Sequence, residues 1–176
     1  MIYAPREDSF LLEREVKKYV KNKSFLDLGA GSGIQAKAAL AAGAKSVLAA
    51  DIDREAIDNL KIKNINAVKS NLFSNIKQKF DIIAFNPPYL PKDRREDKES
   101  KLATTGGKRG DEIIIKFLRS VKDYLNKYGI ILLVISSLTP RERILNLLKK
   151  SSMKHKILSS QKFFFESLEV WKISVK

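Results

Sequence analysis

The 176-residue chain is 44% hydrophobic and 31% charged, the make-up of a globule with one sizeable core in which two independent domains would be cramped. It has no cysteine and one histidine, which excludes disulfides, thiolate zinc sites, a cysteine nucleophile and a histidine-rich metal site, so no metal ligands are expected. The net charge of +14 points to anionic partners, with nucleic acid on a basic surface or an acidic protein as examples, or else to a lysine-rich solvated surface. The lysines are spread along the chain, and both readings stay open.

The first periodic segment, within residues 1–22, is helical. Phe10, Leu11, Leu12, Val16, Tyr19 and Val20 make its apolar face. No signal-type apolar block accompanies it and no apolar run has bilayer length, so a cytoplasmic chain is expected. "SFLDLG" then reads as a short strand stopped by glycine. "SGIQAKAALAAGA" is an alanine-rich helix with Gly43 as its C-terminal stop. "KSVLAAD" and "DREAIDNLKIKN" are a second strand and helix, "NAVKSNLF" a weaker third strand, and "FDIIAF" a fourth. "DEIIIKFLRSVKDYLNK" predicts a helix closed by Tyr128-Gly129. "GIILLVISS", the most apolar strand, is expected at the centre of the sheet. "PRERILNLLKKS" is a helix with Pro140 in its first turn. "KHKILSSQKF" and "LEVWKISVK" close the chain as a hairpin, the second with Leu168, Val170, Trp171, Ile173 and Val175 as its apolar residues. Strand–helix–strand repeats predict one α/β domain over residues 1–176. Its seven-stranded sheet is mostly parallel, with helices on both faces and an antiparallel final strand.

One stretch breaks the alternation. Pro91 to Gly110 is long, charged and closed by glycines. Loops of this length inside a compact domain are uncommon and often functional, the alternative being a solvated loop. Because it directly follows "NPPY", a mobile basic lid on the substrate side, Lys92 to Gly110, is expected.

Chemistry gathers at three strand ends. "LDLGAGSG" follows the first strand and opens a helix; Gly29, Gly31 and Gly33 let the backbone turn sharply and approach a ligand. Asp51 ends the second strand, where a carboxylate can accept both hydroxyls of a ribose. The spacing is G-x-G-x-G, not the G-x-G-x-x-G of pyrophosphate-binding loops. Asp27, at the mouth of the loop, would repel a phosphate and attract an ammonium. These charges suit S-adenosylmethionine better than a nicotinamide dinucleotide. Asn71-Leu72 after the third strand is either a simple turn or a contact to an adenine ring.

The fourth strand ends in "NPPY". Pro87 and Pro88 stiffen the backbone after Asn86 and lack N–H donors, so the carbonyls of this tip can face outward. With the Asn86 side-chain carbonyl they form a fixed pair of acceptors for an NH2 group, and Tyr89 offers a flat face for a planar one. Holding a poorly nucleophilic amide nitrogen in line with a methyl donor can be worth roughly 7–11 kcal/mol of barrier, and it needs no histidine base.

"DLGAGSG" with "NPPY" resembles a Rossmann-like class I S-adenosylmethionine-dependent methyltransferase acting on an amino nitrogen of a planar group. "YAPREDSFLL" is similar to the "YxPxEDTFLL" signature of the HemK-like release-factor glutamine methyltransferases, in their archaeal and eukaryotic branch. "GGKRGDEIIIKFL" and "FFFESLEVWKI" resemble the same branch, so the likeness covers essentially the whole chain, and bacterial relatives carry a further N-terminal helical domain. The resemblance implies N5-methylation of the glutamine in the Gly-Gly-Gln loop of a class I peptide release factor. Asn86 and the Pro87 carbonyl would hold the amide, and Tyr89 would pack on it. Ser9, Asp27, Gly29, Gly31, Asp51, Ile52, Asn71, Leu72 and Asn86 would contact the cofactor. A small zinc-binding activator subunit, forming a heterodimer, is the partner it implies. Two positions depart from the family: Asn71 stands where Asp is usual, and Ser9 where Thr is common. Alternatives are amino-group methylation of RNA or DNA, which the +14 charge favours, and lysine methylation, which the acceptor pair suits poorly. A binding module that has lost catalysis would predict no cofactor binding.

Overall fold

In a computed structural model the described residues are 5–89 and 106–175. In chain order they form α1 (Glu7–Tyr19), β1 (Ser24–Leu28), α2 (Ile34–Ala41), β2 (Ser46–Asp51), α3 (Arg54–Ile62), β3 (Ala67–Lys69) and β4 (Phe80–Phe85). After residues 90–105 follow α4 (Glu112–Ser120), β5 (Leu125–Ser136), α5 (Arg141–Lys150), β6 (Met153–Lys162) and β7 (Ser167–Val175). The strands make one sheet in the order β3-β2-β1-β4-β5-β7-β6. From β3 to β5 every pairing is parallel. β7 is antiparallel to both β5 and β6, so it alone runs against the rest. The join between β6 and β7 is too short for a crossover, which forces that hairpin.

Side chains alternate across the sheet, as a strand's period of two requires. Phe25, Ile82, Leu132 and Val170 face α1. Leu26, Ile83, Leu133 and Trp171 face α4 and α5, with Phe117 and Ile144 filling between. On the first face, Ala36 and Ala49 let α2 and α3 sit close to the strands, where Ile57 and Leu60 complete a third cluster. With both faces covered, β5 is buried almost continuously from Ile131 to Ile135, hence its unbroken apolar run.

α2 ends as its glycine indicates. Gly43 takes φ 81°, with its N–H bonded to the Leu40 carbonyl and the Ala44 N–H to that of Ala39. These are the two bonds of a Schellman stop.

The structure departs from the sequence expectations in five places. α4 ends at Ser120, and after a 3₁₀ turn (Val121–Tyr124) β5 begins at Leu125, so Tyr128-Gly129 lies inside the strand. Between the Phe80–Leu125 and Ile82–Ile130 pairs, β4 advances two residues and β5 five. The surplus bulges outward with Tyr128 at φ 65° and exposed. The Asn126 amide, donating to Asp81 Oδ1 at 2.9 Å, pins the bulge, which a reading of apolar period alone misses. The middle strand is β4, not β5, because the hairpin adds two strands beyond β5. Phe10 is 47% exposed, off the packed face of α1. Pro140 is the N-cap of α5 rather than a residue of its first turn. Val175, at the end of β7, is also partly exposed.

Candidate active site

β3, β2, β1 and β4 lie side by side and parallel, about 4.8 Å apart, so their carboxyl ends form a row. Along that row stand Asn71-Leu72, Asp51, the glycine loop and Asn86, four sequence candidates delivered by four neighbouring strands. In open α/β sheets this crevice is where ligands bind.

The glycine loop is tied to β2. The N–H groups of Gly29 and Ala30 both donate to the Ala50 carbonyl, at 2.8 and 3.1 Å. Gly29 adopts φ 66°, and a Cβ there would come within 3.3 Å of the Phe85 ring. Gly33 adopts φ 79°, and its Cβ would run into Leu60 of α3. The Gly31 N–H donates to Asp51 Oδ2 at 2.8 Å, and Asp51 Oδ1 accepts from the Asp53 N–H at 2.9 Å. Each Asp51 oxygen thus spends one lone pair on the backbone and keeps one. That fits a pair of vicinal hydroxyls. Ile52, next in the chain, is 45% exposed at the mouth of the row, an apolar surface for a flat ring.

Asp27 differs from the sequence expectation of an open charge. It is buried, and its Oδ2 accepts the Ala36 N–H at 2.9 Å, so it caps the first turn of α2 from below. Burial pushes its carboxyl up to about 7. The Ala36 bond opposes the rise and the neighbouring Asp51 carboxylate adds to it. Near neutral pH the group is poised between its charged and neutral forms.

Asn71 and Leu72 form a tight turn after β3, with Leu72 at φ 51° and the Asn71 N–H donating to Ser74 Oγ at 3.0 Å. Ser70 bonds back to Asp51 through its N–H, at 2.7 Å. The Asn71 side chain is exposed.

At the tip of β4, Pro87 is buried, while Asn86 and Tyr89 are half-buried. The Asn86 Oδ1 is shielded from solvent and has no hydrogen-bond partner. An orphaned acceptor of this kind costs about 1–3 kcal/mol, and it persists where function requires it. The Tyr89 hydroxyl donates to Asp8 Oδ2 at 3.4 Å, and its carbonyl accepts from the Thr139 hydroxyl at 3.4 Å.

Asp8 is a residue that the sequence analysis passes over, although it lies within "YAPREDSFLL". It is buried. Its Oδ1 takes both the Ser9 N–H, at 2.6 Å, and the Ser9 hydroxyl, at 3.2 Å. Gln35 of α2, also missed, donates to the Ser9 carbonyl at 2.8 Å. α1 thereby links Ser9 on one side to Tyr89 on the other. Nothing in the local pattern marks Asp8 as special, since acidic residues in a first helical turn are ordinary dipole partners.

The expected lid falls largely outside the described residues. Its last part, Gly106 to Gly110, runs beside the tip of β4, and Gly106 is so close to the Pro88 and Gly110 carbonyls that no side chain fits. Glu112 collects the Arg109 and Gly110 N–H groups at 3.1 Å, and Arg143 of α5 holds the buried Asp111 at 2.9 Å. Among the described residues no cluster of histidine, cysteine or carboxylates has metal-holding geometry. No described helix is long and apolar enough to cross a membrane.

The methyltransferase small domain family matches residues 7–165. A protein of Methanocaldococcus jannaschii named for protein N5-glutamine methyltransferase activity is 39% identical over 96% of this chain and 89% of its own length. The release factor glutamine methyltransferase of Streptococcus pneumoniae is 37% identical over 65% of this chain, which spans about half (46%) of that longer protein. Among solved structures, the E. cuniculi Mtq2–Trm112 complex, described as responsible for methylation of the eRF1 translation termination factor, superposes with a TM-score of 0.81. Its identity is 24%, and 99% of each chain is covered.

Proposed function

The chain belongs to the methyltransferase small-domain family, and from that membership we propose that it methylates the side-chain nitrogen (N5) of the glutamine in the Gly-Gly-Gln motif of a class I peptide release factor. It is an S-adenosylmethionine-dependent protein N5-glutamine methyltransferase. When bound, S-adenosylmethionine supplies a methyl group on a sulfonium, an electrophile that needs no further activation. The chain's own task is to hold and orient. Asp51 would take the ribose hydroxyls on its two remaining lone pairs, and Ile52 and Leu72 would bracket the adenine. The glycine loop, Asp27 and Ser9 would receive the amino-acid end.

The observation that carries the substrate reading is the buried, unpartnered Asn86 Oδ1 on a proline-stiffened tip. A carboxamide NH2 has two hydrogens to donate. Asn86 Oδ1 and the Pro87 carbonyl would accept them and turn the nitrogen lone pair toward the methyl group, with Tyr89 packed on the amide plane. Orientation then supplies the acceleration, and the surplus proton leaves to water after transfer.

Mass spectrometry of a purified release factor incubated with this protein and labelled S-adenosylmethionine tests the reading. A gain of one methyl on the Gly-Gly-Gln peptide is expected, and an unmodified peptide overturns it. Bulk tRNA, rRNA and DNA belong in parallel reactions, because the +14 charge gives an amino group of nucleic acid as the second reading. A small zinc-binding activator subunit is the proposed partner, supported by the complex in which Mtq2 was solved. Translation termination would place the enzyme in the cytoplasm.

A further inference from the structure

Two phenylalanines stand almost wholly in solvent at the turn between β6 and β7: Phe164 is 92% exposed and Phe165 85%. Their rings meet edge to face, with centroids 4.6 Å apart. Phe163 at the same turn is also partly exposed, as is Leu138 just after β5. Scattered apolar residues on a surface need no explanation, but a contiguous aromatic cluster marks an interaction site.

Its position in the fold narrows the partner. β7 begins where β5 ends, with Leu168 opposite Ser136, so the turn sits at the carboxyl end of the sheet, the same end as Asn86. Only β5 separates β4 from β7, and the register, with Phe85 opposite Leu133 and Ser136 opposite Leu168, carries the turn several residues past the tip of β4, roughly 20 Å from it on the same end of the sheet. The turn is also fastened to the site. Its own closure is the Phe163 N–H to Glu166 carbonyl bond at 2.7 Å. Glu166 accepts the Ser136 hydroxyl, and Ser137 and Ser167 exchange backbone and hydroxyl bonds at 2.8 and 2.9 Å. Two residues on, Thr139 bonds the Tyr89 carbonyl.

We infer that this aromatic turn is a docking rim for the protein that carries the reacting carboxamide. The inference rests on the proposed function and deepens it. A glutamine side chain reaches only about 5 Å from its Cα at ordinary bond lengths. Once its amide lies on Asn86, the body of the substrate protein must cover the rim of the crevice. A fixed apolar rim at that distance gives the body a place to rest, and the substrate face that meets it is apolar. Affinity for the whole protein then comes from the turn, while the chemistry stays at the tip of β4.

The test is Phe164→Ala/Phe165→Ala, a pair exposed enough for the fold to tolerate, checked by unchanged melting temperature and unchanged S-adenosylmethionine binding. Methylation is measured on an intact class I release factor and on a short peptide of its Gly-Gly-Gln loop. The expected result is a KM for the intact factor raised about tenfold, the usual effect of losing an aromatic anchor, with kcat and the peptide reaction unaltered. Unchanged KM on the intact factor overturns the inference while leaving the proposed function standing. Equal losses on factor and peptide also overturn it, because the turn would then serve the site itself. Should the unmodified enzyme methylate neither, the proposed function falls and the docking rim with it. If it methylates the factor but never the peptide, the KM shift on the factor decides.

Discussion

Asn86 is where a single atom carries the most consequence. Its Oδ1 is buried without a partner, so the fold bears a desolvation cost that a bound NH2 group would relieve. Asn86→Ala should leave S-adenosylmethionine affinity within about threefold by calorimetry and lower kcat by about 10²–10³, the range for removing one preorganised dipole. Asp8 makes a subtler case, because it would act through Tyr89. Asp8→Asn keeps the size but turns one acceptor into a donor, so either Ser9 or Tyr89 loses its partner. If the Tyr89 contact is the one that matters, Asp8→Asn and Tyr89→Phe should each slow methylation about tenfold, and the double variant no more than either alone. Additive losses in that cycle would give Asp8 a purely structural role. The placement of Asn86 and Tyr89 at a strand end was legible in the sequence because an apolar run stops at an asparagine and two prolines. Asp8 was not, since its partner is 81 residues away and only the packing of α1 against the tip of β4 joins them.

At the scale of elements, the first βα unit depends on close approach. Gly33 combines a left-handed backbone with contact to Leu60 of α3. Gly33→Ala should therefore destabilise the protein by about 2 kcal/mol in urea unfolding, through strain at φ 79° and displacement of Leu60. The strand and helix sequence along the chain was readable, including the final hairpin, because apolar periods of two and of 3.6 leave different traces. The boundary of α4 was not. The apolar residues of α4, its 3₁₀ turn and the start of β5 form one nearly continuous series. What divides them is the pairing of Leu125 with Phe80 and the bond from Asn126 to Asp81, both long-range.

Over the whole molecule, Asp27 couples stability to pH. Its carboxyl titrates near the ordinary 3.8 when unfolded and at about 7 when folded. Between those values the folded chain holds the extra proton, so Asp27 makes stability fall as pH rises from about 4 to about 7, then stay level. Asp81 and Glu112 act lower on the scale. Both are depressed below their ordinary values on balance by the hydrogen bonds they accept, although desolvation is the largest single influence and opposes this. Their contribution is lost only as pH drops through those lowered values. Asp27→Asn should therefore flatten the decline between pH 4.5 and 7.5, and stabilise the protein at pH 7.5 by at least about 1 kcal/mol, given about 1.4 kcal/mol per pKa unit. If Asp27 also receives the cofactor's ammonium, the same variant binds S-adenosylmethionine more weakly while being more stable, a trade of stability for function that calorimetry and melting can separate.

By itself the sequence determined the class of sheet, the order of its elements and which polar residues stand at the carboxyl ends of its strands. Each of these is written in local chemistry: periodicity, glycines at a turn, a carboxylate ending one strand and a proline pair ending another. Tertiary structure alone decided which strand lies in the middle, that Asp27 is buried and bonded to the first turn of α2, and that Asp8 reaches Tyr89. It also set the aromatic turn at the same end of the sheet as the tip of β4. Those facts depend on partners dozens of residues distant, and burial and pairing across such separations leave no mark on the neighbours in the chain.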